Sequence, residues 1–175
     1  MTQAAVTVRE ARPDEFEAIG RLYERSWVEF AEAVGQDTWG RMRANFASLA
    51  ARAAYSEILV AERDGAMAGA VTYTGPGVRP VEQPGPLRLI PRHWAYVGIL
   101  AVDLEHRGLG IGRILTAACI DQARRDAATT IGLGTRPPMA TAQRLYERMG
   151  FRRRPDLEEG QDEYLVYELP LTEAL

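Results

Sequence analysis

Apolar positions set the first expectations. Val6 to Arg9 alternates as a short strand does. Pro13, Asp14 and Glu15 then supply the proline and the acidic first turn of a helix, in which Phe16, Ile19, Tyr23 and Trp27 hold helical spacing. A second helix is predicted over Thr38 to Ala54, with Trp39, Met42, Phe46 and Leu49 on one stripe behind a break at Gly35 and Gln36. Ile58 to Ala61 and Ala66 to Tyr73 read as strands around Arg63-Asp64-Gly65, and the Asp-Gly pair makes them an antiparallel hairpin. Gly75 to Pro91 contains five prolines and three glycines, so regular structure is not expected there, and a loop of that length reads as a lid or a rim. Trp94 to Val102 is a nearly unbroken apolar run, the mark of a central strand covered on both faces. Gly112 to Arg125 follows as a helix with Ile114, Leu115, Ala118 and Cys119 inward, then Thr129 to Leu133 as a strand. Ala140 to Met149 is a short helix closed by Gly150, and Glu163 to Leu169 a last strand. Strand, helix, strand implies a right-handed parallel crossover, so the order predicts an α/β fold with a mixed, partly antiparallel sheet flanked by helices.

Composition narrows the chemistry. With 175 residues, 46% apolar and 26% charged, the chain fits one domain over residues 1–175 that buries its own core without metal or disulfide. The single Cys119 lies in an apolar helical pattern and has no bridging partner, which favours a reducing, cytoplasmic setting. All 21 basic residues are arginine, so a P-loop lysine, a pyridoxal-phosphate Schiff base and a lysine general base are excluded. A net charge of -3 has the wrong sign for gripping a phosphate backbone, and nucleic acid is not an expected partner. No apolar run reaches the roughly 20 residues that span a bilayer, and Met1 to Glu10 lacks the pattern of a signal peptide, so no membrane association is expected. His93 and His106 are not clustered with Cys119 or with spaced acids, and no metal is expected.

The most informative stretch is Arg107-Gly108-Leu109-Gly110-Ile111-Gly112, between the apolar strand and the next helix. Glycines there let successive amides point outward where the helix dipole places partial positive charge, which makes an anion cradle. Arg107 and Arg113 add formal charge beside it. A flexible turn serving only strand-to-helix packing is the plainer reading. A dinucleotide fingerprint disagrees in spacing, since its third glycine would fall on Arg113, and no acidic residue ends the following strand.

At these residues the sequence resembles the GNAT superfamily of acyl-CoA-dependent N-acyltransferases. Arg107, Gly110 and Gly112 fit the family's [R/Q]-x-x-G-x-[G/A] loop, after Ile99-Leu100-Ala101-Val102-Asp103 and before Leu145-Tyr146-Glu147-Arg148-Met149-Gly150-Phe151. The resemblance spans about Val6 to Leu169. It implies a single GNAT-like domain with splayed central strands, and an N-acetyltransferase that moves acetyl from acetyl-CoA to a primary amine by direct attack in a ternary complex. The implied cofactor contacts are the loop amides Leu109 to Arg113 on the pyrophosphate, within the segment Arg107, Gly108, Leu109, Gly110, Ile111, Gly112 and Arg113. The pantetheine arm is expected to pair with backbone near Leu100, Ala101 and Val102, whose groups would otherwise be buried without partners. An N–H of Leu100 or Ala101 then polarises the thioester carbonyl.

Tyr146 matches the family's general acid, although Ala142, Leu145, Tyr146 and Met149 also form a helical stripe that packing alone would explain. The position where many relatives carry a glutamate base falls on Tyr96, which leaves the base unassigned; His93 is a candidate, Glu57 and Glu29 weaker ones. Trp27 with Phe30 near the end of the first helix and Trp39 with Phe46 on the second have helical spacing that core packing explains; of the two groups, Trp27 and Phe30 are the candidate acceptor-pocket residues. The acidic run Asp156, Glu158, Glu159, Asp162 and Glu163 would attract a cationic amine. A non-catalytic acyl-CoA-binding or sensing module is the rival reading, and a homodimer is compatible with either.

Overall fold

The computed structural model describes residues 4–159 and 163–171. Along them run β1 (Val6–Glu10), α1 (Phe16–Trp27), α2 (Ala31–Val34), α3 (Gln36–Ala47), α4 (Leu49–Arg52), β2 (Glu57–Arg63), β3 (Ala66–Thr74), β4 (Ala95–Val102), α5 (Ile111–Arg125), β5 (Thr130–Thr135), α6 (Ala140–Arg148), β6 (Arg152–Arg153) and β7 (Leu165–Pro170). The strands hydrogen-bond in the order β1-β2-β3-β4-β5-β7-β6. The sheet is mixed: β1 runs antiparallel to β2, β4 parallel to β5, and β5 antiparallel to β7. Close contacts divide the chain into two compact units, Met1–Thr72 with Ile99–Ala118, and Tyr73–Gly98 with Cys119–Leu175.

In the first unit Asp64 and Gly65 take φ of 52° and 74°, the two left-handed residues that a tight hairpin turn between β2 and β3 requires. The stripe of α1 packs on α3, where Phe46 meets the tilted ring of Tyr23 at 5.8 Å and the Trp27 ring edge-on at 5.6 Å. The single helix expected over Thr38 to Ala54 is two. Ser48 donates its hydroxyl to the Asn45 carbonyl at 2.8 Å, and a serine that bonds back to the chain competes with the helical ladder. The first helix, expected to reach Phe30, ends at Trp27, and the chain goes on through a 3-10 turn at Val28–Phe30 and the short α2.

In the second unit the Gly75 to Pro91 segment departs from expectation. Gly85–Leu89 is a 3-10 helix begun by Pro86, and Leu87 and Ile90 are buried. Arg79 donates to the carbonyls of Pro91 at 2.9 Å and Trp94 at 3.1 Å. Pro86 lies against Gly134 of β5, where a β-carbon would come within 2.3 Å of the proline ring. The segment is therefore packed down by its own apolar residues and is not a free lid. The ladder of β4 with β5 covers only Ala95↔Ile131 to Val97↔Leu133, although β5 continues pairing with β7 to Thr135↔Leu165. The two-residue β6, which the sequence pattern did not show, pairs with β7.

Candidate functional site

The glycine loop lies in the first unit. Gly108 and Gly110 both take φ of 78°, the left-handed region where a side chain is strained, and a β-carbon on either would meet nothing within 4 Å. The turn thus needs glycine for its backbone path and keeps an open face. The first backbone bond into α5 runs from the Ile114 amide to Gly110 O at 3.0 Å, so the amides of Ile111, Gly112 and Arg113 precede the helical ladder. Those amides and the exposed Arg113 are the groups that fit a phosphate. Gly69 on β3 lets α5 sit close: a β-carbon there would stand 2.8 Å from Ala101 O and 3.0 Å from Ile111.

Arg107 was expected to add its charge to the cradle. Its guanidinium instead donates to the Ser26 carbonyl at 2.8 Å and pairs with Glu29 at 2.8 Å. Glu29, a weak candidate base, is thereby held by a permanent cation. The expectation that the carbonyls at the end of β4 lack partners is also corrected. Trp27 Nε1 donates to Leu100 O at 3.0 Å and the Ser26 hydroxyl to Val102 O at 3.1 Å, because the end of α1 lies along that edge. Arg25 adds an ion pair to Asp103 at 3.1 Å. On the other edge, Ile99 donates to the Thr72 hydroxyl and Asp103 donates to Ala68 O. Neighbouring strand residues face opposite edges, so Ala101 presents its backbone to β3 while Leu100 and Val102 present theirs to α1. None of Ser26, Gly69 or Thr72 has a sequence signal of its own; each is an ordinary residue of a helix or strand.

The second unit holds Tyr146, Tyr96, Cys119 and His93. Tyr146 is 6% exposed, and its ring meets Phe151 edge-on at 5.8 Å and Tyr167 at 6.5 Å. Burial pushes its phenol well above the ordinary tyrosine value, with smaller contributions from Cys119 and Tyr96, so the group stays protonated at neutral pH. Tyr96 lies buried on β4. His93 is exposed one residue before the buried Trp94, its ring edge-on to that indole at 6.3 Å. Glu57 is exposed at the start of β2.

Phe30 is half-buried in the turn after α1. The described acids of the run pair with arginines. Glu158, 13% exposed, takes two bonds from Arg153 at 2.8 and 2.9 Å and accepts the Val166 amide, which makes it a brace for β7. Asp156 pairs with Arg154, Glu159 with Arg88, and Glu163 with Arg88 and Arg136. Asp162 lies outside the described residues. Among the described residues no group of three His, Cys, Asp or Glu side chains forms a metal site, and no helix is long and apolar enough to cross a membrane.

Comparison with known proteins meets this geometry. The chain is 41% identical over 83 residues to N-alpha-acetyltransferase 30 of Saccharomyces cerevisiae, a match covering 45% of this chain and 46% of that protein. The alignment thus spans about half the length of that curated relative. The fold is similar to that of paia N-acetyltransferase from Thermoplasma acidophilum, solved in complex with coenzyme A, at TM-score 0.70 and 14% identity over 95% of this chain and 99% of that one. It is also similar to yncA from Salmonella typhimurium, solved with its cofactor acetyl-CoA, at TM-score 0.61 and 21% identity over 98% and 96% of the two chains. The model of the acetyltransferase (GNAT) family matches residues 16–151, from the first residue of α1 to the turn after α6, and the chain belongs to that family.

Proposed function

We propose that the chain transfers an acetyl group from acetyl-CoA to a primary amine, and that the amine is the α-amino group of a peptide. The observation that carries the reading is the pair of left-handed glycines, Gly108 and Gly110, that open the start of α5 toward an anion. In this reading the amides from Leu109 to Arg113 receive the pyrophosphate, and the Val102 N–H on the edge of β4 receives a carbonyl of the pantetheine arm, the Leu100 and Val102 carbonyls being held by Trp27 and Ser26. The Leu100 N–H polarises the thioester carbonyl, since Ala101 is turned to β3.

The amine nitrogen forms its bond to the acetyl carbon, and the carbon–sulfur bond breaks as the Tyr146 hydroxyl gives its proton to the leaving thiolate. Tyr146 recovers a proton from the acylated nitrogen, so the amine's proton ends on sulfur. Burial opposes a free tyrosinate, which favours coupling of the two transfers.

The acceptor class follows from the base. Tyr96 stands on β4 at the place of the relatives' carboxylate base, Glu29 is paired with Arg107, and His93 and Glu57 lie exposed before β4 and at the start of β2, so the reading assigns no residue to strip an ammonium. An α-amine with a pKa of about 7.7–8.0 is roughly one third neutral at pH 7.5, whereas a lysine side chain near 10.4 is about 0.1% neutral. The names of the two curated relatives, both N-alpha-acetyltransferase 30, point the same way.

Thiol release is the test, with peptides carrying a free α-amine compared with the same peptides blocked at the N-terminus and carrying one lysine. Release with the free α-amine and little with the blocked peptide is expected. Tight acetyl-CoA binding without release to any amine would make the chain a non-catalytic acyl-CoA-binding module.

A further inference from the structure

The strand β4 is held from both edges at its functional end, and the two hands are different. On the β3 side the Ile99 amide is fixed by the Thr72 hydroxyl at 3.1 Å and the Asp103 amide by Ala68 O at 2.9 Å. On the α1 side no backbone does this work. The Trp27 indole N–H takes the Leu100 carbonyl at 3.0 Å, and the Ser26 hydroxyl takes the Val102 carbonyl at 3.1 Å. The peptide that carries the Leu100 N–H therefore lies between two pinned ones, with the Ile99 amide fixed before it and the Leu100 carbonyl fixed after it.

We propose that Trp27 is a positioning residue for acetyl transfer: by gripping the Leu100 carbonyl it keeps the Leu100 N–H aimed outward from the α1 edge of β4, ready to polarise the thioester. The inference rests on the acetyltransferase reading for the role of that N–H, and on geometry alone for the grip.

Three observations separate this from packing. The indole meets the Phe46 ring edge-on while its N–H is spent on the Leu100 carbonyl, so the ring contact gives no reason for an N–H. The indole is aimed at a carbonyl 73 residues away in sequence, at ordinary hydrogen-bond length. The helix end that carries it is itself anchored, by Arg107 on the Ser26 carbonyl and by Arg25 on Asp103, so Trp27 is placed by a rigid support. A preorganised donor needs no reorganisation when charge develops on the carbonyl oxygen, and a donor free to swing loses that advantage.

Trp27→Phe keeps the ring and removes the donor. Its kcat for the best peptide is expected to fall on the order of tenfold, less than the roughly 10²-fold or more that follows outright loss of an oxyanion donor, with the KM for acetyl-CoA within about twofold of the parent's. The carbonyl stretch of bound 13C-acetyl-CoA, measured without acceptor, should lie below its solution frequency in the parent and return part of the way in the variant. Should Trp27→Phe not fold, benzothienylalanine at position 27 preserves the bicyclic shape with sulfur in place of N–H, and the same two changes are expected. Variants matching the parent in kcat and in carbonyl stretch overturn the positioning role while the acetyltransferase reading stands. A loss of kcat with an unmoved stretch also overturns it, and assigns the indole to acceptor packing. A parent that releases no thiol with any amine overturns the acetyltransferase reading itself.

Discussion

The Arg107 guanidinium lies 2.8 Å from the Ser26 carbonyl, joining the start of the glycine loop to the last turn of α1. Arg107 is partly exposed and Glu29 more so, so the pair contributes little by charge alone; the bond to a backbone carbonyl is the larger part. Arg107→Gln is expected to lower Tm by about 2–4 °C, the equivalent of ~1 kcal/mol in a chain of this size, while the thermal shift produced by acetyl-CoA keeps most of its size. A variant of normal Tm that no longer responds to acetyl-CoA would place the guanidinium on the phosphates.

Gly112 occupies the first turn of α5, before the helical ladder begins. A carboxylate there suits the helix dipole and replaces the poorest unbranched helix former, so Gly112→Asp should hold or raise the Tm of the free protein. The same charge opposes a pyrophosphate. Stabilisation by acetyl-CoA should disappear, and a scan with and without ligand reads both effects at once.

Tyr146→Phe keeps the contacts with Phe151 and Tyr167 and removes only a buried hydroxyl. Turnover is expected to fall by about 10²-fold or more, with acetyl-CoA affinity unchanged, as loss of a general acid predicts. The raised phenol pKa also fixes a sign. The folded protein holds this proton more tightly than the unfolded chain, so the contribution is intact below the unfolded value near 10 and is lost as pH rises above it. The parent's Tm should therefore fall more steeply above pH 10 than that of Tyr146→Phe.

Glu15 behaves in the opposite direction. Hydrogen bonds from Arg9 at 2.6 and 2.9 Å bring its carboxyl down to about 2 from 4.5. A depressed carboxyl adds stability that is complete above the unfolded value and is lost as pH falls toward the folded one. Glu15→Gln should thus be less stable than the parent at pH 7, and the difference in Tm should shrink steadily between pH 4.5 and 2. A constant difference across that window would remove the carboxylate from the argument.

Much of this protein is determined by its sequence because the relevant physics is local. A strand alternates and a helix repeats every few residues whatever surrounds them, so β1, α1, the β2–β3 hairpin, β4, α5, β5 and α6 are legible from apolar spacing. The left-handed turns at Asp64-Gly65 and Gly108 to Gly110 are legible too, since few residues tolerate that backbone. The tertiary structure alone decided where long side chains ended. Arg107 is written as a charge beside a phosphate loop, yet its flexible stem reaches a carbonyl 81 residues earlier in the chain. Glu158 is written as one of five acids that would attract a cationic amine and is a brace between Arg153 and the Val166 amide. Trp27 is one more apolar residue in a helical stripe until α1 lies along β4. The proline-rich segment carries no periodic signal, and only the placing of Pro86 against Gly134 shows that it packs. Periodicity is imposed by the backbone on each residue in turn, whereas a hydrogen bond between distant residues exists only once chain closure has brought them together, and nothing in the spacing of either partner records the other.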